Sequence, residues 1–199
     1  RREVELLGIG GPHMRAAGFE LLYDSTRWSG IGVVESLKRV PMLLGVQRHL
    51  VRHLTSAPPD LLVLIDFGAF NVRLARRLAR GRRPPILYYF PPRSWQRDAD
   101  YRGLAGIVDR VATVFEWGEP LLRAAGVDGR FVGHPVVDRI QPPEAPVRAA
   151  QRAALGLAAE DLAIGLLPGS RGTEVRCNGP VQLAAARIIT RCRPEARFL

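Results

Sequence analysis

Four short apolar runs dominate the middle of this chain: Leu61 to Asp66 (LLVLID), Pro85 to Phe90 (PILYYF), Arg110 to Phe115 (RVATVF) and Arg130 to Val132 (RFV). Each is too short for a helix, so each reads as a buried strand. Between them lie stretches of helical period: Phe70 to Arg80, Ala99 to Ile107, and Glu119 to Ala125 with Gly126 after it. Strands alternating with helices build parallel βαβ units. The expected fold is therefore α/β, with a doubly wound, Rossmann-like parallel sheet.

The same alternation extends to both sides. Val4 to Ile9 reads as a strand, GIGGPHM (Gly8 to Met14) as a loop, and Met14 to Gly18 as a short helix. Gly30 to Leu37 and Val40 to Ser56 read as two helices broken near Pro41, because an interior proline removes a backbone donor. QPPEAP (Gln141 to Pro146) is the clearest linker. After it come a helix (Val147 to Leu155), a strand (Leu162 to Leu167), a small-residue loop and a long helix. The chain starts at Arg1 rather than Met and ends in ARFL, which reads as the opening of a strand. Both ends suggest a piece of a longer protein.

Composition narrows the function classes. The longest apolar runs are about five residues, far short of a membrane span. The opening RREVELLGIGG carries no long apolar segment of the signal-peptide kind. The formal charge is +10, and Lys38 is the only lysine. So arginine-rich a surface favours anionic partners. No aromatic-interleaved basic motif, recognition helix or zinc-finger spacing points to nucleic acid. Cys177 and Cys192 fall on one long helix without metal-type spacing, as for two reduced cytosolic thiols.

Several residues carry chemistry by position. Asp66 ends the strand LLVLID, where ligands bind in open α/β sheets. Its carboxylate suits a base for a substrate hydroxyl, and equally a cap for the helix that follows. The loop LPGSRG (Leu167 to Gly172) joins a strand to a helix. Gly169 permits close backbone approach, Ser170 can cap the helix, and Arg171 adds a bidentate donor, which together suit a phosphate or diphosphate. An ordinary turn with a surface arginine has the same composition. GIGGP lacks the spacing of a nucleotide-binding glycine loop. His49 and His53, four apart, have no third metal-type ligand and fit a solvated basic face. His134, in VGHPVVD, fits a structural histidine as well as a site residue. Along Val40 to Ser56, apolar Val40, Leu43, Leu50, Val51 and Leu54 oppose Arg48, His49, Arg52 and His53, a pattern that covers a core or lies on an anionic membrane.

In order, the segments GIGGPHMRAAGFELLYD, GIGVVESLKRVPMLL, PDLLVLIDFGAFNVRLARRL, VDRVATVFEWGEPLLRAAGV, RFVGHPVVD, RAALGL and LLPGSRGTEV resemble the lipid A disaccharide synthase family over nearly the whole chain. The resemblance implies an inverting, metal-independent glycosyltransferase of GT-B architecture, with two Rossmann-like domains and no cofactor. It implies a UDP-linked diacylglucosamine donor, an acylated glucosamine 1-phosphate acceptor, release of UDP, and work at the cytosolic face of the inner membrane, with room for a homodimer. On that basis residues 1–140 form the acceptor-side domain without its first strand, 141–160 a Pro-rich linker and connecting helix, and 161–199 the start of the donor domain. Asp66 matches the motif's first aspartate, the base, and Arg171 the arginine that holds the donor phosphates. Asn71, Trp95, Glu119, His134, Gly169 and Ser170 match substrate-binding positions.

The chain also departs from the family. Gly68 and Ala69 replace the motif's proline and second aspartate, Arg93 and Arg97 are new beside Trp95, and FEWGE (Phe115 to Glu119) replaces Phe-Pro-Phe-Glu. These changes leave two other readings open: a GT-B transferase or epimerase for another UDP-sugar, and a catalytically inactive, membrane-associated homologue.

Overall fold

The computed structural model describes residues 4–26, 28, 33–170 and 172–199, with residues 33–39 described as backbone only. The elements run β1 (Leu7–Gly10), α1 (Pro12–Ala16), β2 (Glu20–Asp24), α2 (Val33–Ser56), β3 (Leu62–Ile65), α3 (Gly68–Leu78) and β4 (Ile86–Tyr89). A 3-10 turn (Arg102–Leu104) leads to β5 (Arg110–Thr113), α4 (Gly118–Ala124), β6 (Gly129–Phe131) and α5 (Pro135–Arg139). Then come α6 (Ala145–Ala154), β7 (Leu162–Ile164), α7 (Gly172–Cys192) and β8 (Ala196–Phe198). Every strand pairing among the described residues is parallel, as the Rossmann-like α/β class requires.

The chain divides into two compact units, Pro41–Pro142, and Arg1–Val40 together with Pro143–Leu199. The first holds a four-stranded sheet in the order β3-β4-β5-β6. Its register pairs Leu64 with Tyr88 and Tyr88 with Val111, so these side chains share one face. That face is the core: Leu64, Ile86, Tyr88, Val111 and Thr113 are buried with Leu74, Leu78 and Leu122 from α3 and α4. Val63 and Ile65 alternate to the other face and are exposed. The second unit holds two separate two-stranded sheets, β1-β2 and β7-β8.

Several elements differ from the sequence reading. Helix α2 runs unbroken through Pro41, and its later turns bury Val46, Leu50 and Leu54. That burial outweighs one lost backbone bond. Gly30, where the first of the two expected helices begins, lies outside the described residues. Gly8 to Gly10 belong to β1 rather than a loop, and a Cβ on Gly10 would come within 2.0 Å of the Met14 sulfur. Gly8 and Gly10 therefore make room for the Met14 side chain. Between Ala99 and Ile107 only the 3-10 turn forms. Asp100 Oδ1 accepts from the Arg102 N–H at 2.9 Å, a local bond that competes with helix. Strand β2 and helix α5 were not expected from the sequence. The final ARFL does form a strand, β8, parallel to β7.

Candidate functional site

The carboxyl ends of β3, β4, β5 and β6 form one rim of the four-stranded sheet, where side chains are most available to a ligand. Backbone strain concentrates there. Among the described residues the non-glycine residues with positive φ are Asp66 (43°), Phe67 (41°), Phe90 (55°) and Arg93 (63°), all just past β3 or β4. Left-handed backbone costs roughly 1–2 kcal/mol per such residue and persists only when its surroundings over-determine it.

At Asp66 the surroundings do so. Buried Asn71 donates through Nδ2 to the Ile65 carbonyl (3.0 Å) and the Asp66 carbonyl (2.9 Å). The Tyr88 hydroxyl donates to the same Asp66 carbonyl at 2.8 Å, and the Asp66 N–H donates to the Tyr89 carbonyl at 3.2 Å. The backbone of Asp66 is thus held on three sides. Its carboxylate is exposed and makes no hydrogen bond or ion pair among the described residues. The capping role is not what the geometry gives: Phe67 is the N-cap of α3 and no side chain caps it. Burial and the nearby Asp66 charge push the Tyr88 phenol well above its usual range, which keeps it a neutral donor to the turn. A Cβ on Gly68 would lie 2.4 Å from Pro92 Cβ, so the glycine lets the loop after β4 close over the start of α3. Ala69 is exposed in the first turn of α3 and adds no second carboxylate.

Farther along the rim an aromatic cluster lines an open cleft of about 460 Å³, with Phe115, Trp117, Phe131 and His134 in its walls and Asp138 at its edge. Phe115 and Trp117 stack at 4.6 Å, and the Arg97 guanidinium lies 4.8 Å from the Trp117 ring centre. Trp117 Nε1 donates to the carbonyl of fully buried Ser94 at 3.1 Å. His134 packs edge-on to Phe90 (5.7 Å) and lies 5.6 Å from Phe115. Its Nδ1 accepts from the Val136 N–H at 3.2 Å, capping α5 ahead of Pro135. That bond leaves Nε2 as the protonated nitrogen of the neutral ring. A histidine cap followed by proline at the first helical position is the signal by which sequence reading could have found α5.

The other expected site residues fall in varied places. Trp95 is 58% exposed, in the loop after β4. Glu119 braces the sheet: it accepts from the Phe131 N–H at 2.9 Å and pairs with Arg123 at 3.3 Å. Asp66 follows β3 and His134 follows β6, the two edge strands of the sheet, and His134 reaches along the rim to Phe90, just past β4. In the other unit, Gly169 has φ +123°, and its Cβ position lies 2.5 Å from Glu174 Cβ. Glu174 accepts from the Ser170 N–H at 3.0 Å, so an internal carboxylate already meets the loop expected to bind phosphate. Arg171 lies outside the described residues. His49 and His53 stack at 6.4 Å, and among the described residues no three His, Cys, Asp or Glu side chains gather as a metal site would need. Among them, too, no helix is long and apolar enough to cross a membrane.

A parallel α/β sheet with a strained, carboxylate-bearing turn at its carboxyl rim belongs to the Rossmann-like class of ligand-binding folds. Within that class the chain belongs to the lipid-A-disaccharide synthetase family, whose model matches residues 1–198. It is 39% identical over 98% of its length to a lipid-A-disaccharide synthase of Geobacter metallireducens, covering 50% of that protein. It is 34% identical over 99% of its length to lipid-A-disaccharide synthase 1 of Legionella pneumophila (strain Lens), and 37% identical over its whole length to a lipid-A-disaccharide synthase of Anaeromyxobacter sp. (strain K). The chain spans about half the length of the curated relatives it matches.

Proposed function

We propose that the protein carrying this chain is a lipid-A-disaccharide synthase. It joins UDP-2,3-diacylglucosamine to 2,3-diacylglucosamine 1-phosphate, releases UDP, and works as a peripheral protein at the cytoplasmic face of the inner membrane. The observation that carries the reading is Asp66, whose backbone is pinned on a strained turn while its carboxylate stays unengaged. A base so held takes the proton from the acceptor hydroxyl as that oxygen attacks the anomeric carbon. The bond to the diphosphate breaks on the opposite face of the sugar, inverting the centre.

Asn71 is then a positioning residue, since both of its Nδ2 hydrogen bonds fix the turn. The aromatic cleft offers apolar ring faces for a sugar or for the start of an acyl chain, and His134 Nε2 offers a donor there. Arg171 and the start of α7 are assigned the departing diphosphate, where a cation and helix N–H groups stabilise developing charge. Residues 1–140 are assigned the acceptor side, 141–160 the linker, and 161–199 the opening of the donor domain. One boundary between the two compact units falls at Pro142 and Pro143, inside QPPEAP, and supports a linker there, whereas the same division groups residues 1–40 with 143–199.

Replacing Asp66 by Ala in the full-length protein is expected to lower UDP release from the diacylglucosamine donor at least a hundredfold. Arg171→Ala is expected to cost about 10²–10³ in kcat. Activity near wild type in either variant removes that residue from the mechanism. Ala69 favours one further reading, a homologue that binds the membrane without catalysis. Liposome binding by the intact protein with no UDP release would establish it. Turnover of other UDP-sugars but not the diacyl donor, read by product mass, would move the protein to another transferase class.

A further inference from the structure

Helices α2 and α3 are joined through buried Gln47. Its amide donates to the Phe70 carbonyl at 2.8 Å, and its oxygen accepts from Arg77 at 3.2 Å. Beside that junction opens a groove of about 330 Å³ lined by Arg48, Val51, Arg52, Arg77 and Arg80. None of the four guanidiniums pairs with a carboxylate among the described residues, whereas Arg15, Arg83, Arg102, Arg110, Arg123 and Arg193 all do. The sequence supplies few counter-charges nearby. From Arg48 to Arg83 it holds eight arginines against Asp60 and Asp66.

Four cations converging on one shallow groove repel one another unless an anion sits among them. Guanidinium is suited to phosphate oxygens, which it grips bidentately. The floor is not purely polar, because half-buried Val51 lies between the arginines. An open cationic groove with an apolar floor fits the headgroup layer of a bilayer better than it fits a dissolved ion. We infer that the Arg48–Arg52–Arg77–Arg80 groove between α2 and α3 docks the protein on anionic phospholipid headgroups. The groove supplies the membrane contact that the transferase reading requires. Its test reads binding rather than turnover, so either can fail alone.

The test uses the protein carrying this chain and sedimentation with phosphatidylglycerol-rich vesicles, against vesicles of pure phosphatidylcholine. Binding is expected only to the anionic vesicles, weakening as salt rises. Arg52→Gln/Arg80→Gln leaves the Arg77–Gln47 bond in place and is expected to weaken binding about thirtyfold, at the usual contribution of one basic residue near a charged surface. Arg52→Lys/Arg80→Lys keeps the charge and is expected to stay within a few-fold of the parent. The control Arg102→Gln/Arg110→Gln removes two arginines elsewhere and is expected to bind like the parent. The inference is overturned if R52Q/R80Q binds like the parent, if the control loses as much, or if phosphatidylcholine is bound equally well. It is also overturned if R52Q/R80Q loses saturable binding of inorganic phosphate while vesicle binding is unchanged, since the groove would then hold a dissolved anion.

Discussion

Asp66 and Phe67 form a consecutive left-handed pair, and only neighbours hold it. The Phe67 ring gives something back by stacking on Phe70 at 5.3 Å with near-parallel planes. An aromatic pair of that kind contributes about 0.5–1.5 kcal/mol. A left-handed non-glycine costs about the same. Phe67→Gly is therefore expected to change unfolding free energy by less than about 1 kcal/mol, because lost stacking and relieved backbone nearly cancel. Phe70→Ala, at a buried position, is expected to cost about 3–5 kcal/mol. Urea unfolding of both variants checks this, and a loss above about 2 kcal/mol in F67G would mean that the ring rather than the backbone governs the turn. At this scale the sequence showed that Asp66 ends a strand but not that its carboxylate is left unengaged. That depends on Asn71 and Tyr88, one from the following helix and one from the neighbouring strand. No local pattern encodes such a convergence.

Between elements, Asp109 has a comparable role. It precedes β5 and accepts from the Ile86 N–H at the start of β4 (2.6 Å) and from Arg83 (3.0 Å to Nη2). The Arg83 guanidinium, with help from that backbone bond, holds the Asp109 carboxyl below its usual range. The folded state therefore binds this proton more weakly than the unfolded chain. Its stabilisation is complete above the unfolded value near 3.9 and is lost as pH falls through the lower folded value. Asp109→Asn is expected to lose about 1 kcal/mol at neutral pH, a modest figure because the carboxylate is half exposed. The difference from the parent should shrink as pH drops below about 4 in a urea series, and a gap that persists there would refute the ionic account. Elements of this sheet were legible because four apolar runs have strand length. The unbroken α2 was not, since Pro41 signals a break locally while burial of Val46, Leu50 and Leu54 decides otherwise. Nor was the short turn at Arg102–Leu104, where Asp100 redirects its own backbone.

For the molecule as a whole, the sheet's margins matter most. β3 is an edge strand of its sheet, and on it Val63 and Ile65 are 45% and 56% exposed. Parallel sheets are ordinarily covered on both faces. A strand edge with apolar neighbours is also a template on which a further strand can pair. The consequence is practical and concerns handling in the tube. Residues 1–199 prepared alone are expected to associate as concentration rises, with light scattering growing and recovery from concentration falling. Val63→Lys places a charge on that strand and is expected to keep the same preparation monodisperse at concentrations where the parent clouds. Unchanged scattering in V63K would move the sticky surface elsewhere. What looks like a question of enzymology is thus first a question of colloid behaviour, decided by two aliphatic side chains on a single strand.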